Sequence, residues 1–193
     1  MRALIVIMLV ASTARADDER FAVAVNNPGG WLMENIAASG YVGVTDALAI
    51  RVNVASDREL RTSDLFSDEC THPGRIFDVG IGLEYFFVRH RHDGPFVELG
   101  GVRRSEDSTF VCTDIDDTSS ISHTTRYAGY ADVGWSWALP HHAFIALALG
   151  MSYGHEHGHY TDIDVDNMVE YGHGTIDHMV TSPEWSLRIG AQF

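Results

Sequence analysis

The strongest constraint on this chain is an alternation of period two in which one face is large and apolar and the other is small. In EWSLRIGAQF, Trp185, Leu187, Ile189, Ala191 and Phe193 alternate with Ser186, Arg188, Gly190 and Gln192. In IFDVGIGLEYFFV, Phe77, Val79, Ile81, Leu83, Tyr85 and Phe87 alternate with Asp78, Gly80, Gly82 and Glu84. AFIALALGMSY, TRYAGYADVGWSW and ALAIRVNVA repeat the pattern. Side chains alternate across a strand, so each stretch reads as a strand with one apolar face. A soluble sandwich or lipocalin-like barrel turns that face inward and dresses the other with large charged residues for water. Here the second face is crowded with glycine, alanine and serine, with isolated charges between them. Small residues suit the cramped interior of a narrow barrel, which leaves the large apolar face outside, as in a barrel set in lipid.

The alternation predicts strands over 20–26, 36–44, 47–56, 75–89, 95–105, 123–138, 143–156 and 181–193. The links between them alternate in length. Those at Asn26–Asn35, Asp57–Gly74, Glu106–Ile121 and His157–Thr181 are long, whereas Thr45-Asp46, His90–Gly94 and Pro140-His141-His142 are short. With both termini on one side, every short turn falls on that side and every long loop on the other. The expected fold is therefore all-β: an eight-stranded antiparallel up-and-down transmembrane β-barrel with short periplasmic turns and long extracellular loops. Aromatic residues support it, with Tyr85, Phe87, Trp135, Trp137 and Phe193 at one rim and Tyr127, Tyr153 and Trp185 at the other.

The N-terminus reads as a leader. Arg2 precedes an apolar run, Ala14-Arg15-Ala16 fits a small-x-small cleavage site, and Asp17 and Asp18 follow. Residues 1–16 are thus expected as a signal peptide and 17–193 as the barrel domain. No later stretch has about 18 consecutive apolar residues, so no membrane helix is expected. Losing Arg2 and Arg15 moves the formal charge from −14 to −16, which argues against a nucleic-acid partner. The chain has no lysine, so every fixed positive side chain is an arginine.

With these features the chain resembles the small eight-stranded bacterial outer-membrane barrels of the OmpA-domain, OmpX and OmpW type, over essentially the whole of 17–193. The most specific element is the closing strand, with Trp185, Leu187, Ile189 and Phe193 at alternate positions back from a terminal phenylalanine. The resemblance implies a bacterial outer-membrane location, loops extracellular and termini periplasmic. It also implies contact with outer-membrane lipid and lipopolysaccharide, recognition of the closing strand by the assembly machinery, and a monomer. It identifies a class and not a function.

Chemistry-bearing residues fall in three groups. Projected inward, Arg51, Arg104, Arg126 and Arg188 face Asp78, Glu84, Glu98 and Asp132. Eight strands leave a lumen that side chains can fill, and buried charge is tolerated only when paired. A salt-bridged plug is the expected role, with a narrow channel or carrier through Glu84, Glu98 and Arg188 as the alternative. Cys70 and Cys112, on neighbouring loops of an exported chain, are expected to form a disulfide. In the fourth loop, GHEHGHY puts His155, His157 and His159 on one face. A hairpin about Asp166-Asn167 would bring His178 beside His155, making the four a candidate divalent-metal set. No other cofactor is expected. Asp162, Asp164 and Asp166 alternate like the start of a calcium loop, but Asn167 and Glu170 fall at the wrong positions. Pairing Ser152 with His155 and Glu156, or Ser105 with His123, is the weakest alternative, a lipid-modifying enzyme. Strand parity already puts Ser152 and His155 on opposite faces. The expected role is structural or surface-interacting, through acidic, histidine-rich loops. In that role Arg103 and Arg104 are placed to touch lipopolysaccharide phosphate.

Overall fold

The computed structural model describes residues 20–27, 36–62, 70–88, 92–112, 118–164 and 169–193. The expected signal peptide lies outside them, as do the tips of the long links. The described chain is all-β: β1 (Phe21–Asn26), β2 (Ile36–Gly43), β3 (Leu48–Thr62), β4 (Cys70–Phe86), β5 (Gly94–Cys112), β6 (Thr118–Ala138), β7 (Ala143–Asp164) and β8 (Val169–Gln192). Each strand pairs antiparallel with the next, and β1 pairs with β8, so the sheet closes on itself.

The alternation sets which face is which. Val133 and Leu149 oppose each other across β6 and β7, point outward, and are 63% and 58% exposed. Ile81, Leu99, Met151, Tyr153 and Trp185 are exposed on the same outer surface. Inside, Ala22, Ala24, Ala49, Ala146 and Ala148 are buried. The small residues are demanded by the inward rings: a Cβ on Gly134 would strike Phe96, and one on Gly190 would strike Phe144.

At the end of the barrel where β1 begins and β8 ends, the turns described at 44–47 and 139–142 are short. Across 140–142 the Leu139 amide donates to the Ala143 carbonyl at 2.7 Å, and His141 and His142 take φ of 62° and 60°. Positive φ at two adjacent residues belongs to the turn type that matches strand twist.

The other end corrects the sequence reading. Segments expected as loops at 57–74, 106–121 and 157–181 are mostly paired strand. The β3–β4 ladder runs to Thr62↔Thr71, β5–β6 to Cys112↔Thr118 and β7–β8 to Asp164↔Val169. The strands run on as a wall of antiparallel sheet above the short β1 and β2. Backbone groups in that wall satisfy one another in the ladder, so its side chains need bury nothing and both faces are free to be polar.

Candidate functional site: the lumen and the outer histidine face

The terminal end of the lumen is filled by rings. Tyr41, Phe86, His92, Phe96 and Phe144 are all buried, with His92 stacked on Phe144 at 4.2 Å and edge-on to Tyr41 at 5.0 Å. His92 reaches the lumen from a tight turn at φ 58°, and Ser136 Oγ donates to its carbonyl at 2.8 Å. This plug was not foreseen, although the parity that sends Phe87 outward also sends Phe86 inward.

Above the plug lies an ion-pair cluster. Arg188, 1% exposed, donates to Glu84 and, at 2.8 Å, to Glu98. Arg51 reaches the other oxygen of Glu98 at 2.8 Å, and Tyr130 Oη donates to it at 2.6 Å. The Arg188 guanidinium also lies 5.5 Å from the Phe96 ring centre, so the cluster rests directly on the plug. Higher up, Arg104 grips Asp78 through two hydrogen bonds of 2.9 and 2.8 Å, the bidentate geometry that fixes a guanidinium in place. Arg126 donates to Ser152 and Ser182, each at 2.8 Å, and Ser152 Oγ donates to Glu184 at 2.6 Å. All eight residues projected inward thus line the lumen. Tyr130 and Glu184 join them, so the expected balance of four charges of each sign tips toward the acidic.

The registers put several carboxylates in one row around the barrel: Glu84↔Glu98, Glu98↔Asp132, Asp132↔Gly150 and Gly150↔Glu184. Above the ion-pair cluster the lumen holds a cavity of about 180 Å³, lined in part by Asn53, Asp78, Arg104, Tyr130, Asp132 and Glu184.

The outer surface carries a separate group. His155, His157 and His159 share one outward face of β7. His178 opposes Glu156 and so lies on the other face, which removes it from the expected metal set. The cause is a one-residue shift in the β7–β8 register between Asp162 and Ile163. At the upper end of the ladder Asp164 opposes Val169, the register expected from the sequence. Below the shift, His155 opposes Met179. A one-residue slip sends every later side chain to the opposite face. The neighbours gained instead are His123, which opposes His159 with ring centres 5.8 Å apart, and two aspartates. Asp107 bonds His123 Nδ1, and Asp177 lies 2.6 Å from His155 Nε2. His157 stacks on Tyr127 at 5.9 Å, and Arg103 lies over the same tyrosine. Among the described residues no three His, Cys, Asp or Glu side chains converge as a metal cage.

The two serine pairings separate. Ser152 is buried in the lumen while His155 is outside, so no triad forms there. Ser105 shares the outer face with Asp107 and His123, but its hydroxyl makes no hydrogen bond to the imidazole. Cys70 and Cys112 occupy directly opposed positions of β4 and β5, not separate loops.

Comparison with protein families, curated proteins and solved structures finds no match for the chain.

Proposed function

We propose that the chain is a bacterial outer-membrane β-barrel with a closed lumen, its strand extensions outside the cell forming the part that meets partners. The inversion of its faces carries this reading. Arg188, Glu84 and Glu98 are buried at the centre while Val133, Leu149 and Trp185 cover the outside. Soluble monomers rarely expose contiguous apolar patches above a few hundred Å², and an apolar band around a polar interior is what a lipid-embedded barrel requires. Closure through β1 and β8 leaves no unpaired sheet edge around the barrel, a condition lipid imposes. Outward rings at two levels, Tyr85 and Trp137 near the termini and Tyr127 and Tyr153 near the wall, suit the two headgroup regions.

The closing strand, with Trp185, Leu187, Ile189 and Phe193, is then the segment read by the assembly machinery. The aromatic plug and the Arg188 cluster speak against a channel or carrier. Above Tyr127 and Tyr153 the surface changes from apolar to the band of His123, His155, His157, His159, Asp107 and Asp177. That band, with Arg103, sits where a phosphorylated lipid headgroup or a surface partner would be met. A divalent metal, if held there, would draw on His123 and His159, not on His178. A lipid-modifying reaction would begin from the Asp107–His123 pair.

The test is expression of the full chain in a Gram-negative host. The protein is expected in the outer-membrane fraction, with a gel mobility that changes on heating and with its wall cleaved by protease added to intact cells. Recovery as a soluble periplasmic protein would overturn the reading.

Cys70 and Cys112 stand at directly opposed positions of the β4–β5 register, a placement that supports a cross-strand disulfide in an oxidising compartment. The folded, non-reduced chain should resist alkylation even after denaturation, and both thiols should label once reduced. Full labelling without reductant would sink the assignment.

A further inference from the structure

We propose that the cavity above the Arg188 cluster is a binding site for a small cation, seated between Asp132 and Glu184. Each lumen arginine already holds a partner. Arg188 bridges Glu84 and Glu98, Arg51 takes Glu98, Arg104 takes Asp78, and Arg126 is engaged by Ser152 and Ser182. Asp132 and Glu184 are the members of the acidic row left over, and neither joins a salt bridge among the described residues.

Asp132 is 8% exposed, and its Oδ1 is buried without a hydrogen-bond partner. A buried carboxylate oxygen left unsatisfied is costly, which is why such groups in proteins are paired or bind ions. Asn53 Oδ1, on the same cavity, is a second buried acceptor without a donor. Glu184 accepts one bond from Ser152 and keeps acceptor capacity to spare.

The space between the two carboxylates is kept by a glycine. Gly150 lies between Asp132 and Glu184 in the register, and a Cβ there would strike the Asp132 side chain. Asp78, Asp132 and Glu184 outnumber the two arginines of the lining, Arg51 and Arg104, and with these oxygen acceptors a cavity of about 180 Å³ defines the ligand class: an inorganic cation or the ammonium or guanidinium head of a small solute. Arg104 at its edge, with a side chain 34% exposed, marks the way in. The plug and the ion-pair cluster close the other end, so the site holds its ligand and does not conduct it. The site would bind its cation whether or not the barrel lies in a membrane.

The experiment uses the full mature barrel folded in detergent and labelled with ¹⁵N. It is titrated separately with calcium, sodium, methylammonium and guanidinium, while the Gly150 amide resonance is followed. At least one of these cations should shift that resonance saturably. Asp132→Asn should weaken binding by about tenfold or more, since a charge-assisted contact is lost. Glu184→Gln should weaken it by a smaller factor. Whichever probe saturates tells a metal ion from an organic head. Asp132→Asn removes a buried charge whose Oδ1 has no hydrogen-bond partner, so its unfolding midpoint should be no lower than that of the parent. A Gly150 resonance unmoved by all four probes, or moved equally in Asp132→Asn, overturns the proposal.

Discussion

Replacing Arg188 by alanine should destabilise the folded barrel by about 3–5 kcal/mol, the range for breaking a buried ion pair from one side. Arg188 is 1% exposed and is the shared partner of Glu84 and Glu98. Its loss leaves Glu84, also 1% exposed, without its direct ion-pair partner. Glu98 would keep Arg51 and Tyr130, so the cost falls mainly on Glu84. Urea unfolding in detergent micelles, followed by the difference in gel mobility between folded and unfolded protein, measures the effect. Adding Glu84→Gln to Arg188→Ala should recover much of the loss, because it removes the orphaned charge. If the single change costs less than about 1 kcal/mol, water reaches the cluster and the plug does not seal the lumen as described.

Leu149→Arg has the next largest expected effect, and its size depends on what surrounds the barrel. Leu149 points outward, opposite Val133 and Trp185, in the middle of the apolar band. In lipid vesicles an arginine near the bilayer midplane should cost about 2–4 kcal/mol, falling to about 0–1 kcal/mol near the interfaces. His157→Arg, on the same strand but above the apolar band, should therefore be nearly neutral. On a barrel in water, Leu149→Arg would be an ordinary surface change, worth no more than about 0.5 kcal/mol. Urea unfolding from vesicles, comparing the two variants, separates these outcomes. Equal and small effects would remove the physical basis for placing the protein in a membrane.

Strand parity made most of the architecture legible. Once the apolar residues of 75–89 and 143–156 are assigned to one face, Asp78, Glu84 and Ser152 follow to the other, and the structure has them there. The lengths of the upper strands were hidden for a physical reason. Where both faces meet water, few apolar residues mark the period, so Thr118–Ile121 and Val169–Val180 read as polar loop although they are paired strand. Glu184 was missed because it stands just inside the predicted start of the last strand, beside Pro183. The plug was half visible: Phe96 breaks the polar pattern of β5 beside Glu98, and its inward ring packs on Phe86. His178 was misplaced by a single residue of register, which no periodicity in the hairpin could reveal.

The closing junction has a mechanical meaning. β1 is held to β8 over a short stretch, from the Phe21–Phe193 pair to the Asn27–Leu187 pair, whereas β7 and β8 stay zipped from Ala143↔Ala191 up to the wall. Load applied at the N-terminus therefore reaches a short zipper first. Once β1 peels away, Arg188 loses its neighbour Asn26, and the lumen charges lie beside an open sheet edge. In a ring whose other pairings all join strands adjacent in sequence, this joint is the one that brings distant segments together and closes the sheet. The residue that anchors the lumen thus also sits at its latch, so securing the interior and shutting the ring become one event.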